Sequence, residues 1–188
     1  GAAISALTTA TAQADVAVAA RLSAPRIAFL NANDVWAVDT DGSNLERLTI
    51  DGGHKFNLRW MPDGRTVIYI SGRCVQGIDF ITKEAGTLTC FNSAEALDGF
   101  EVSPDSRYFA MSLNRILYIG DYNADRLKQA TSPADLAAAA NCLIYSGNSV
   151  KSLQWSRNGE QIAIIAFIPL GGGGGDSVRL FNVTCGAE

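Results

Sequence analysis

One short phrase of sequence is written three times in this chain, and that repetition limits the fold more than any other feature. Leu58–Ile70 reads LRWMPDGRTVIYI, Phe100–Ser112 reads FEVSPDSRYFAMS and Leu153–Ile165 reads LQWSRNGEQIAII. Each copy has an apolar start, a four-residue polar turn and an apolar run. Repetition at this length marks stacked supersecondary units, each burying one face against the next. The turns share a mechanism. Pro62 presets φ, Asp63 can bond the backbone ahead of it, and Gly64 accepts a positive φ. Pro104-Asp105-Ser106 and Arg157-Asn158-Gly159 repeat it with partial substitutions.

After each turn a strand is expected, at Thr66–Ile70, Tyr108–Ser112 and Gln161–Phe167. A further strand follows each, at Gly77–Thr82, Arg115–Gly120 and Ser177–Val183. A more polar one comes last, at Gly86–Phe91, Arg126–Thr131 and from Thr184 onward. Ahead of the first copy, Arg26–Leu30, Val35–Asp39 and Leu45–Thr49 also read as strands, separated by Asn31–Asp34 and Asp41-Gly42 turns. Four strands per ~40–45 residues is the pattern of propeller blades. Leu58 to Phe100 is one such interval, whereas Phe100 to Leu153 is longer. The surplus is placed in Ser132–Ala140, where a capping Ser, a Pro at the first helical position and Asp135 predict one short helix.

These residues resemble the TolB-like, WD-repeat-like β-propeller family. Its repeat runs roughly W-S-P-D-G followed by a strand, then D-x-D-G, then R-x-L-T. Trp60–Gly64, Val102–Ser106 and Trp155–Gly159 match the first part. Val35–Gly42 with Arg47-Leu48-Thr49 match the rest. Met61, Ser106, Arg157 and Asn158 depart from the pattern. The match covers Ile27 to about Val183. The expected fold is all-β: a β-propeller-type array of about four blades, each a four-stranded antiparallel sheet, with one short inserted helix near 133–141. The family closes six or more blades, so the expectation is part of a larger or incomplete propeller, its first blade lacking an inner strand. Residues 27–188 form the blades in this reading. Residues 1–26 are an Ala-rich N-terminal arm or a signal-peptide remnant. Ala12-Gln13-Ala14 resembles a cleavage site, and Asp15–Ala20 alternates like a strand.

The four cysteines, Cys74, Cys90, Cys142 and Cys185, contain no C-x-x-C pair, which disfavours zinc and thioredoxin-type chemistry. An even number of separated cysteines suits two disulfides in an exported protein, against four free thiols in a cytosolic one. Three connectivities exist. Cys74–Cys90 is favoured because the two flank one expected hairpin, leaving Cys142–Cys185. A net charge of -4 with no basic face argues against nucleic acid and anionic membrane surfaces. No apolar run reaches membrane-spanning length.

Catalytic signatures are weak. The only histidine, His54, lies in a Gly-rich connector with no G-x-S-x-G elbow in the chain. Asp39–Asn44 looks like the start of a calcium loop, but Ile50 stands where the bidentate Glu should be, so a hairpin turn explains it better. Glu84, Glu95, Asp98 and Glu101 are scattered acids. Gly171–Gly175 lacks the G-K-[S/T] ending of a phosphate loop and reads as a flexible hairpin tip. Asn182-Val183-Thr184 is a sequon inside an expected strand. Trp36, Trp60 and Trp155 suit packing between blades rather than ligand stacking.

The expectation is therefore no enzyme, with no catalytic, cofactor or metal residues. The site-level expectations are structural: the four cysteines and the repeat turns at Pro62, Asp63, Gly64, Pro104, Asp105, Asn158 and Gly159. The resemblance implies a non-catalytic periplasmic or extracellular scaffold in a bacterial envelope or surface complex. Its partners would be proteins or peptides, with a homo-oligomer or another subunit covering open blade faces. The alternative is a propeller gating a prolyl-oligopeptidase-like hydrolase whose catalytic domain lies outside this chain.

Overall fold

The computed structural model describes residues 25–170 and 173–185. It contains four antiparallel sheets, each a meander in chain order. The first holds β1 (Arg26–Asn31), β2 (Asp34–Asp39) and β3 (Glu46–Arg47). The second holds β4 (Phe56–Trp60), β5 (Thr66–Ser71), β6 (Cys74–Asp79) and β7 (Ala85–Cys90). The third holds β8 (Leu97–Val102), β9 (Tyr108–Leu113), β10 (Ile116–Asp121) and β11 (Leu143–Tyr145). The fourth holds β12 (Ser149–Trp155), β13 (Gln161–Leu170) and β14 (Gly173–Asn182).

A recurring backbone bond shows that the sheets are one motif repeated. The N–H of Thr40 donates to Pro25 O, that of Phe80 to Arg65 O, that of Tyr122 to Arg107 O and that of Val183 to Glu160 O. These equivalences align β1 with β5, β9 and β13. The first sheet therefore has no counterpart of β4, β8 and β12 among the described residues. The fourth has no counterpart of β3, β7 and β11 there.

Strands in the middle of the array are apolar on both faces because a blade lies on either side. In β5, Val67 and Tyr69 join the cluster shared with Val35, Ala37 and Leu48 of the first blade. Ile68 and Ile70 point the other way, into the cluster with Phe100, Phe109 and Met111 of the third. Ala110, Leu117 and Ile119 pack against Val150, Leu153, Ile162 and Ile164 of the fourth. The array's end face is left open: Ile165, Val178 and Leu180 are exposed on the side of β13 and β14 turned away from the third blade.

The connection from β10 to β11 corrects the expected layout. Arg126–Thr131 was expected as the outer strand, but Ala124–Gln129 is a helix, α1. Asn123 accepts the N–H of Arg126 in its side chain, and Leu127 is buried, so local capping and one apolar anchor favour helix. The outer strand is β11 instead. The expected helix is α2 (Pro133–Ala139), with Ser132 and Asp135 forming a reciprocal capping box. The glycine run also differs from the expectation. Gly173, Gly174 and Gly175 continue β14, in register with Leu170, Pro169 and Ile168. A ladder needs only backbone donors and acceptors, so absent side chains do not end it. Thr184 and Cys185 are not in a strand. The expectations for Ala12–Ala14, Asp15–Ala20, Gly171 and Gly172 fall outside the described residues.

Candidate binding site at the inner edge of the blades

The innermost strands β4, β8 and β12 end in the three repeated turns. Their closing bonds are the same in each copy. The N–H of Met61, Ser103 and Ser156 donates to the carbonyls of Thr66, Tyr108 and Gln161. Those of Gly64, Ser106 and Gly159 donate back to Met61, Ser103 and Ser156. Gly64, Ser106 and Gly159 all have positive φ, of 63°, 61° and 72°. Asp63 accepts from the N–H groups of Arg65 and Thr66, both at 2.8 Å. Asp105 likewise accepts from the Arg107 N–H at 3.1 Å and Asn158 from that of Glu160 at 3.2 Å, and each also accepts the hydroxyl of the serine two residues before it, Ser103 at 2.6 Å and Ser156 at 2.7 Å. Pro62 and Pro104 sit exposed on this end. The turns therefore fix where the preceding side chains stand.

Just before the turns, Arg59, Glu101 and Gln154 occupy one repeat position on three neighbouring blades. Glu101 is buried and joins them. It accepts from Arg59 Nε and, at 3.0 Å, from the backbone N–H of Trp155. Arg59 also donates to Leu58 O at 2.9 Å. Asn57 reaches across to Phe100 O at 2.8 Å. A cavity of about 250 Å³ opens here, walled by Trp60, Trp155, Ile68 and the two prolines, with Arg59 and Gln154 offering solvent-reachable polar groups. The indole Nε1 atoms of Trp60 and Trp155 are buried and have no hydrogen-bond partner among the described residues. Trp60 meets Phe80 edge-on, and Trp155 stacks on Tyr108. The arrangement supplies aromatic surface, a cation and an amide group in one concavity.

The other singled-out residues are dispersed. His54 is exposed with its ring 5.7 Å from that of Phe56. The Asp39–Asn44 loop closes on itself: Asp41 accepts from the Ser43 N–H and hydroxyl, Asn44 donates to Asp39, and Gly42 has φ 85°. Glu84 and Glu95 are exposed. Asp98 has a buried Oδ2 without a partner among the described residues, and burial raises its pKa. Asn182 accepts from Gln161 Nε2 at 2.8 Å across the ladder. Trp36 lies under Arg47.

Two disulfides are present. Cys74 pairs with Cys90 across β6 and β7, and Cys142 with Cys185 between the third and fourth blades. Asp121 lies beside Cys142 and Cys185, but both sulfurs are in the disulfide, so one carboxylate donor remains and no metal set results. A separate buried network organises the first connector. Asp34 accepts from Arg47, Thr49 and the Gly52 N–H, and the Arg47 guanidinium heads the causes that hold its pKa at about 2. Lys55, also buried, donates to Asn33 O, Gly53 O and Asp51. This network is architectural: it ties the 51–54 connector to β2.

Glu101 was read from sequence only as one of several scattered acids, and Arg59 and Gln154 were not singled out. Lining up the three repeats would have placed all three at one position.

No protein-family model matches the chain, and no curated protein matches it in sequence. Among solved structures it is similar to TolB from Acinetobacter baumannii, at TM-score 0.50 and 15% identity over 87% of this chain. It is also similar to the tricorn protease, at TM-score 0.49 and 12% identity over 82% of this chain. It spans 53% of the TolB chain and 16% of the tricorn chain. Among the described residues no helix is long and apolar enough to cross a membrane. With its repeated meanders, inner strands side by side and shared turn chemistry, the chain has a β-propeller fold similar to that of TolB.

Proposed function

We propose that this chain is a non-catalytic, exported β-propeller scaffold that binds a protein or peptide partner at the inner-strand mouth. The observation that carries the reading is the cavity between Trp60 and Trp155, where Arg59 and Gln154 present a cation and an amide on a rigid frame. Arg59 is held by Glu101, so its geometry is set before a partner arrives. Aromatic and arginine groups in a preformed concavity are the usual anchors of protein recognition. Two disulfides support an oxidising compartment. The same reading has the open blade face covered by a second copy or another subunit.

A random peptide library selected against the folded protein tests this. Selected peptides should quench or shift tryptophan emission, and Arg59→Glu should weaken them at least tenfold while the thermal transition persists. Selections that return no peptide, or peptides indifferent to Arg59→Glu and Gln154→Ala, overturn the proposal.

A further inference from the structure

The second and third blades carry equivalent rows of residues across their sheets, and the outer halves of the two rows differ sharply in volume. In the third blade the row is Glu101, Ala110, Ile119 and Leu143, each paired with the next across β8 to β11. In the second blade the row is Arg59, Ile68, Gly77 and Gly86 across β4 to β7. Ile119 and Leu143 fill the space between the third and fourth blades. At the same two positions the second blade has no side chain. Ile68 in place of Ala110 restores part of the volume on the inner side only. A groove of about 450 Å³ remains between the second and third blades.

The walls of this groove have a definite chemistry. Met61, Ile68 and Leu88 make it apolar, and Tyr122 closes it from the third blade. Asp63, Asp79 and Glu84 line it, and no basic residue does. Arg65 neutralises Asp79. Asp63 is occupied by its own turn. Glu84 is exposed, and its carboxylate is in no ion pair among the described residues. A long cationic side chain matches this surface: an aliphatic stem lies on apolar walls while its head stays at the acidic, solvated rim. The groove shares Ile68 with the cavity at Trp60 and Trp155, so the two are neighbours along one end of the blades.

We propose that this glycine-made groove receives an arginine or lysine side chain from an extended segment of the protein partner. The inference rests on the peptide-binding reading above and names the chemistry of the partner. The occupant follows from charge complementarity with Glu84, the rim carboxylate left without an ion pair among the described residues, next to Asp63, whose bonds are to N–H and O–H groups of its own turn and leave its charge unneutralised.

The test uses a capped tripeptide, acetyl-Leu-Arg-Leu-amide, titrated into isotopically labelled protein, with the citrulline peptide as the uncharged isostere. The expected result is saturable shifts at the Gly77 and Gly86 amides with the arginine peptide, at least fivefold weaker with citrulline. Gly86→Val should abolish them. A Cβ at Gly86 meets nothing within 4 Å, so this variant fills the groove without a clash. Glu84→Gln, on an exposed turn, should weaken binding severalfold and serves if Gly86→Val does not fold. Equal binding of both peptides, or no saturable shift at these glycines, overturns the inference. So do peptide-independent shifts that grow with protein concentration, which would mark a second copy in the groove. Shifts confined to Arg59, Gln154 and the tryptophan indoles would defeat this inference while leaving the inner-mouth reading standing. Failure of both sets defeats both.

Discussion

Glu101, on the innermost strand of the third blade, accepts the backbone N–H of Trp155 on the fourth at 3.0 Å. Its other carboxylate oxygen takes Arg59 of the second blade. One side chain thus joins three blades around the inner edge. With 5% of its side chain exposed, Glu101 is the buried member of a half-exposed pair. Glu101→Ala should lower the unfolding free energy by about 2–3 kcal/mol, because a charged hydrogen bond and the acceptor for Trp155 are both lost. Glu101→Gln keeps an acceptor and should cost about 1 kcal/mol. Urea denaturation of the oxidised protein checks both. A Glu101→Ala loss within ~0.5 kcal/mol, the level of an ordinary surface change, would show that the blades do not depend on this tie.

Acid should destabilise the protein through Asp34. Its carboxyl is held at about 2 against an ordinary 3.8, with the Arg47 guanidinium the leading cause. A lowered pKa stabilises the fold above the unfolded value, and that stabilisation is lost as pH falls through the folded value. Asp51, lowered chiefly by Lys55, acts in the same direction. The melting temperature should therefore fall between about pH 4 and about pH 2, and Asp34→Asn should flatten that limb while lowering stability at neutral pH.

Asp98 should act in the opposite sense. Burial raises its pKa, so its charge opposes folding at neutral pH and acidification relieves it. Asp98→Asn should raise the melting temperature at pH 7, with the gain shrinking as pH drops. A constant gain across the pH range would mean that the charge is not the cause.

Ser106 holds φ 61° where the equivalent turns use Gly64 and Gly159. A Cβ in the left-handed region is strained, so Ser106→Gly should stabilise by about 0.5–1 kcal/mol. Gly64→Ala should destabilise by about 1 kcal/mol for the same reason. Paired denaturation curves decide, and a Ser106→Gly loss would show that the hydroxyl outweighs the strain.

Removing the disulfides should rank by the loop each closes. Cys74 and Cys90 are 16 residues apart, and Cys142 and Cys185 are 43. Chain-entropy reasoning gives about 3 kcal/mol for the first and about 4 kcal/mol for the second. Cys142→Ser with Cys185→Ser should also free the fourth blade's outer edge, visible as faster amide exchange there. Equal losses for the two pairs would favour local packing over loop closure as the cause.

The repeat, the turns and the alternating strands were legible in the sequence because each is a local property. Pro62-Asp63-Gly64 needs only its own backbone to make its turn, and Ser132 with Asp135 needs only four residues to cap α2. The helix at Ala124–Gln129 was not legible. Arg126–Thr131 has the composition of a polar strand, and only the burial of Leu127 in the core between the second and third blades and the Asn123 cap turn it into helix. The glycine run misled for a related reason: Gly173–Gly175 carry no side chains to show a pattern, yet their backbone groups complete a ladder with β13.

The inner site divides the same way. Sequence alone left Glu101 among scattered acids at the start of a repeat, and aligned repeats would have set it level with Arg59 and Gln154. That its two oxygens meet partners on two different blades follows only from how the blades pack. Chain order can show which residues are equivalent. Which of them touch depends on the angle and separation of neighbouring sheets, and those come from side-chain volumes summed across an interface, as the Gly77–Gly86 gap between the second and third blades shows beside the equivalent Ile119–Leu143 position, which is filled between the third and fourth.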